Sequence, residues 1–176
     1  NSHLLMRNGI LNHVVEDGHL YELRSDSPEA FKREKIPCMF RKVGINHSIS
    51  FPLFCNTHDT SLFIEIETGD VNYALYRHMA LYSYRALVSE IRKKEIEAEK
   101  LKRIVNSSTL YGLMGNFAIE NFSKSYKLEL QGIKDMEYYK EEILNDLQSG
   151  TESFVFLSRE IPLKGIYAST ISSIFS

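Results

Sequence analysis

The chain has 176 residues, enough for a domain with a core of its own, since a chain of this size buries roughly 68–70% of its unfolded surface. Its formal charge of −2 offers no molecule-wide basic field of the kind that draws a protein to nucleic acid. Cys38 and Cys55 are isolated and the six histidines are scattered, so neither a disulfide framework nor a metal-ligand spacing is present.

Residues 1–70 hold Pro28, Pro37 and Pro52 and several short β-prone runs, and they read as short strands and loops. Asp17-Gly18 is a hairpin signal that would pair Leu11–Val15 with His19–Leu23. Ile49-Ser50-Phe51 is a second short strand, and the alternation in Ser61-Leu62-Phe63-Ile64-Glu65-Ile66 fits a half-buried third.

From Val71 to Val105 there is neither Gly nor Pro. Tyr84, Leu87, Ile91, Ala98, Leu101 and Val105 recur at three- and four-residue steps, interrupted at Lys94. The spacing predicts one amphipathic helix, or two sharing a joint, with Asp70 as its N-cap. Between Arg77 and Arg103 eight Lys and Arg face four Glu, a local excess of four positive charges in an otherwise acidic chain. Gly112 and Gly115 offer a place to bend or cap.

Residues 118–150 are charged, with Tyr138, Tyr139, Ile143, Leu144 and Leu147 on one helical face and Gly150 as a stop. Thr151–Ser158, containing Phe154-Val155-Phe156-Leu157, reads as a strand, and Pro162 with Gly165 separates it from a last apolar segment. No run approaches the roughly 20 apolar residues of a membrane span, and no signal-peptide layout opens the chain. An intracellular protein is expected. The start at Asn1 and the apolar-serine run IYASTISSIFS at the end suggest a piece of a longer polypeptide.

The stretch Leu101–Asn116, LKRIVNSSTLYGLMGN, carries the chemistry. Lys102 and Asn106, four apart on a helix, place a cation and an amide donor on one face about 6 Å apart, which suits phosphate oxygens. An aromatic ring and a glycine follow in Tyr111-Gly112, suited to lie beneath a base pair where backbone approaches closely.

This stretch resembles motif B of family B DNA polymerases, K-x-x-x-N-S-x-Y-G, and especially the version in large insect DNA viruses, which continues into Gly-Leu-Met-Gly. Lys102–Ser107 fits the first half and Leu110–Gly115 the second, with the halves two residues further apart than in the family. A second register, through Ser108-Thr109-Leu110-Tyr111-Gly112, keeps the tyrosine spacing but puts Ile104 in the lysine position. Both registers remain open. Leu87–Lys93 is similar to the L-x-x-x-x-R-K helix that precedes motif B, and Gly165–Ile174 to the helix that follows it.

The resemblance implies an α+β fold with a helical fingers segment flanked by short-stranded palm-like regions. Residues 1–70 would be the upstream palm-like region or an insertion, 71–117 the fingers with motif B, 118–150 a charged helical insertion, and 151–176 a palm strand and the start of a helix. It gives Arg92, Lys102 and Asn106 the triphosphate contacts, and Tyr111 with Gly112 the floor of the base-pair pocket. It also implies Mg²⁺, a DNA template-primer, dNTP and replication accessory proteins as partners, and the host nucleus as the place of action if the source is viral. No catalytic aspartate can be assigned, so metal ligands are expected outside this chain. Two other readings stand beside it. One is a non-catalytic interaction protein whose Tyr84, Leu87, Ile91, Leu101 and Val105 pack on a partner, and the other is a decayed polymerase remnant.

Overall fold

The computed structural model describes residues 2–3, 15–25, 38–47, 50–51, 53–68 and 71–158, and places helices with a small antiparallel sheet content in one chain, an α+β composition. The chain divides into two compact units, and it passes from the first to the second between Asp70 and Val71.

In the first unit β1 (Ser2–His3) pairs antiparallel with β4 (Ser50–Phe51), and β2 (His19–Ser25) pairs antiparallel with β3 (Cys38–Gly44). Asp17 (φ 50°) and Gly18 (φ 73°) take the positive φ values that a tight hairpin turn demands, closed by paired bonds between Glu16 and His19 at 2.9 and 3.0 Å. The turn is therefore where the sequence puts it. The partner of β2, however, is β3, in a register running from His19 opposite Gly44 to Ser25 opposite Cys38, while residues 11–14 lie outside the described ones.

The run Ser61–Ile66 corrects the strand expectation, because it lies within helix α1 (Asn56–Glu67). Phe63 and Ile66 are fully buried while Ile64 and Glu65 face water, which is a step of three and not of two. A six-residue apolar run is ambiguous between the two periods, and with no Gly or Pro from Leu53 to Thr68 nothing stops the helix. The ring of Phe54 meets Phe63 edge-on at 5.1 Å, and the Thr68 hydroxyl closes the helix by donating to the Ile64 carbonyl at 2.8 Å.

The second unit is a helical hairpin. Helix α2 (Tyr76–Val105) and helix α3 (Ser108–Ser149) run antiparallel, with only Asn106 and Ser107 between them. Thirty residues make α2 about 45 Å long. It begins five residues after Val71, with Leu75 at the N-cap, and Asp70 lies outside the described residues. Its buried face contains Tyr84, Leu87, Ile91, Ala98 and Leu101, together with the polar Arg85 and Ser89. Ile119, Ile143 and Leu147 are the buried apolar residues of α3. The face that the interaction reading assigned to an outside partner is therefore taken up within this chain, with Val105 half-buried.

Gly115 (φ 76°, ψ 167°) breaks α3 after its first two turns. Gly150 (φ 77°) ends it in the left-handed conformation, with its N–H bonded to the Asp146 carbonyl at 2.8 Å. Residues 118–149, expected as an inserted helix, are the returning arm of the hairpin. Beyond them Thr151–Ser158 takes no strand pairing among the described residues, which corrects the expected strand. Its two-residue alternation survives. Phe154 and Phe156 are half-buried, whereas Val155 and Leu157 are 90% and 91% exposed.

Candidate functional site

Four of the five residues singled out by sequence, Lys102, Asn106, Tyr111 and Gly112, lie along the α2–α3 corner. Lys102 is exposed on the last turn of α2, and its carbonyl accepts the backbone N–H of Asn106, the C-cap, at 3.1 Å. Helix α2 ends there. The chain restarts at once, because the Ser107 hydroxyl accepts the Leu110 N–H at 3.3 Å and its carbonyl accepts the Tyr111 N–H at 3.0 Å. Asn106, the C-cap of α2, and Tyr111, in the first turn of α3, are thus separated by a cap-to-cap turn.

Tyr111 and Gly112 are exposed in the first turn and a half of α3. A Cβ built on Gly112 would meet nothing within 4 Å, so no close approach inside this chain requires a glycine there. Ile104, which takes the lysine position in the second register, is half-buried.

Arg92 is separate from this cluster. It shares α2 with Lys102 and lies ten residues earlier, about 15 Å along the axis, in an ion pair with Glu95 at 2.7 Å. Most of the basic stretch is paired in the same local way: Lys93 with Glu90 at 3.1 Å, Lys100 with Glu97 at 3.0 Å and Arg103 with Glu99 at 3.0 Å. The Arg103 bond lowers the Glu99 pKa. Such exposed pairs contribute little to stability, but they neutralise the helix locally. Lys102 takes part in none of these close pairs. Lys100 and Arg103 are paired with Glu97 and Glu99, and the sequence holds no acid from Lys100 to Ile119, so the positive charge at the corner rests on Lys102.

The corner is also apolar. Leu113 and Phe117 are 77% and 80% exposed, with Met114 exposed between them. Among the described residues no three His, Cys, Asp or Glu side chains come together to hold a metal ion, and the corner has no carboxylate cage for Mg²⁺. Gly165–Ile174, the downstream part of the family resemblance, lies outside the described residues. Among the described residues no helix is long and apolar enough to cross a membrane.

Sequence reasoning missed the densest polar cluster, which lies at the other end of the hairpin. Asp146, 3% exposed, accepts hydrogen bonds from the Tyr76 hydroxyl, the Thr151 hydroxyl at 2.7 Å, and both the N–H and hydroxyl of Ser153 at 2.9 and 2.8 Å. The Tyr76 oxygen in turn accepts the Phe154 N–H at 3.2 Å. The Thr151 and Tyr76 donors hold the Asp146 carboxyl well below the usual carboxylate range, and burial, reinforced by Asp146, pushes the Tyr76 phenol up to about 12. The available signal was an acid set between Ile143 and Leu147 on an apolar helical face, followed by the hydroxyl-bearing Ser149, Thr151 and Ser153.

No known protein family matches the chain, and comparison with curated proteins and with solved structures finds no match.

Proposed function

We propose that this chain is a fingers and palm segment of a family B-type DNA polymerase, in which the α2–α3 corner binds the incoming dNTP. The observation that carries the reading is the placement of Lys102 and Asn106 one turn apart at the exposed end of α2, with Tyr111-Gly112 opening the next helix. Lys102 supplies a point charge for the triphosphate and Asn106 an amide donor beside it. Tyr111 offers a ring for stacking under the base pair, and Gly112 leaves the space beside it clear.

Under this reading Mg²⁺, held by carboxylates outside the chain, supplies charge stabilisation for nucleotidyl transfer to a primer end. The residues here bind and orient. Arg92 joins them only if its bond to Glu95 opens, since about 15 Å of helix separates it from Lys102.

A second reading draws on the exposure of Leu113 and Phe117: the corner as a docking point for another protein, with no nucleotide involved. The two diverge in a binding titration with dNTP and Mg²⁺. The polymerase reading requires Lys102→Ala to weaken dNTP binding while Phe117→Ala leaves it nearly unchanged, and the docking reading requires no dNTP binding by either protein.

A further inference from the structure

Residues 151–158 are attached to the hairpin in an unusual way. No β-ladder holds them, and the left-handed Gly150 separates them from the hydrogen-bond ladder of α3. Their main polar attachment runs through one carboxylate and one phenol, beside contacts of Thr151 with the Ser149 hydroxyl at 2.8 and 3.3 Å and a Ser158 hydroxyl that donates to the Tyr73 carbonyl at 3.4 Å. Asp146 takes Thr151 and Ser153, and Tyr76 takes the Phe154 N–H while donating to the same carboxylate. Their apolar attachment is aromatic, with Phe156 at 5.1 Å from Tyr76 and Phe154 at 6.5 Å from Tyr139.

We propose that Asp146 and Tyr76 form a clasp holding residues 151–156 as a strap across the open end of the hairpin, and that this strap detaches as a unit while α2 and α3 stay packed. The proposal does not depend on the polymerase reading. Three features support it. The bonds share acceptors, so loss of Asp146 removes several at once and the attachment is cooperative. The hairpin has a separate source of cohesion in the buried Leu87, Ile91, Leu101 and Ile119 and in the Lys94–Glu129 ion pair at 3.0 Å, none of which touches the strap network. The outer side chains Val155 and Leu157 are almost fully exposed, so nothing within the described residues seals the strap from outside. Detachment would uncover the rings of Tyr76 and Tyr139. Local opening of such a unit below the global unfolding free energy is a general property of weakly sealed segments.

Amide hydrogen exchange on the whole chain tests this, in wild type and in Asp146→Asn, Tyr76→Phe and Ser153→Ala. The clasp requires exchange at the Ser153 and Phe154 amides to accelerate roughly tenfold or more in Asp146→Asn and Tyr76→Phe, and by less in Ser153→Ala, with amides of residues 84–101 unchanged. Unchanged exchange at both strap amides in Tyr76→Phe and Ser153→Ala overturns the proposal. So does equal acceleration along α2 in those two variants, which would make the network part of the global fold. They decide the matter even if Asp146→Asn fails to fold.

Discussion

Lys94 of α2 and Glu129 of α3 form an ion pair 3.0 Å long across the helical hairpin, at the one position where the apolar stripe of α2 is interrupted. Gly132 makes room for it, since a Cβ there would lie 3.4 Å from Cε of Lys94. The interruption in the sequence pattern is thus an inter-helix contact.

Both partners are 26% exposed, so the pair is partly shielded from water and worth more than its surface counterparts on α2. Lys94→Ala should cost ~1 kcal/mol in denaturant unfolding, and Lys94→Met less, because it keeps the stem that packs by Gly132. Additive effects of Lys94→Ala and Glu129→Ala in a double-mutant cycle would show that the two side chains do not interact.

Gly115 and Gly112, three residues apart, should respond to alanine in opposite directions. At Gly115 the φ of 76° leaves a side chain strained in otherwise open space, a cost of about 1–2 kcal/mol in thermal or denaturant unfolding. Gly112 is helical with nothing near its missing Cβ, so Gly112→Ala should stabilise by roughly 0.5–1 kcal/mol. The proposed role of Gly112 in the base-pair pocket requires that stabilised variant to bind dNTP more weakly. A gain in stability with unchanged binding would remove Gly112 from the site.

The clasp makes stability depend on pH at both ends. Asp146 titrates below its unfolded value near 3.9, so its contribution is complete above about pH 5 and is lost as pH falls toward the depressed folded value. Tyr76 titrates above its unfolded value near 10, so its contribution is complete below that pH and is lost as pH rises toward about 12. Urea midpoints should therefore fall at both extremes. Tyr76→Phe should flatten the alkaline fall, and an unaltered alkaline limb would assign it to other groups.

The hairpin was legible where periodicity was long. Tyr84 through Leu101 gave the buried face of α2 correctly over five residues, and Gly150 gave the end of α3. Short apolar runs were not legible for a physical reason. Six residues such as Ser61–Ile66 satisfy both helical and strand periods, and Phe154–Leu157 alternates as a strand does although the segment is held by Thr151 and Ser153 bonding to Asp146 and by the Phe154 N–H donating to the Tyr76 oxygen. At the candidate site Lys102, Asn106 and Tyr111 were legible as neighbours along the chain, whereas the helix break between them was not. A cap-to-cap turn at Asn106-Ser107 depends on one serine hydroxyl and on where α3 packs.

The central claim, that the α2–α3 corner binds a nucleoside triphosphate, is tested most directly by equilibrium titration of the chain with dNTP and Mg²⁺, wild type against Lys102→Ala. Loss of one charged phosphate contact should weaken binding roughly 10- to 100-fold, with the fold unchanged by circular dichroism. Equal affinity in the two proteins, or no binding by wild type, would contradict it.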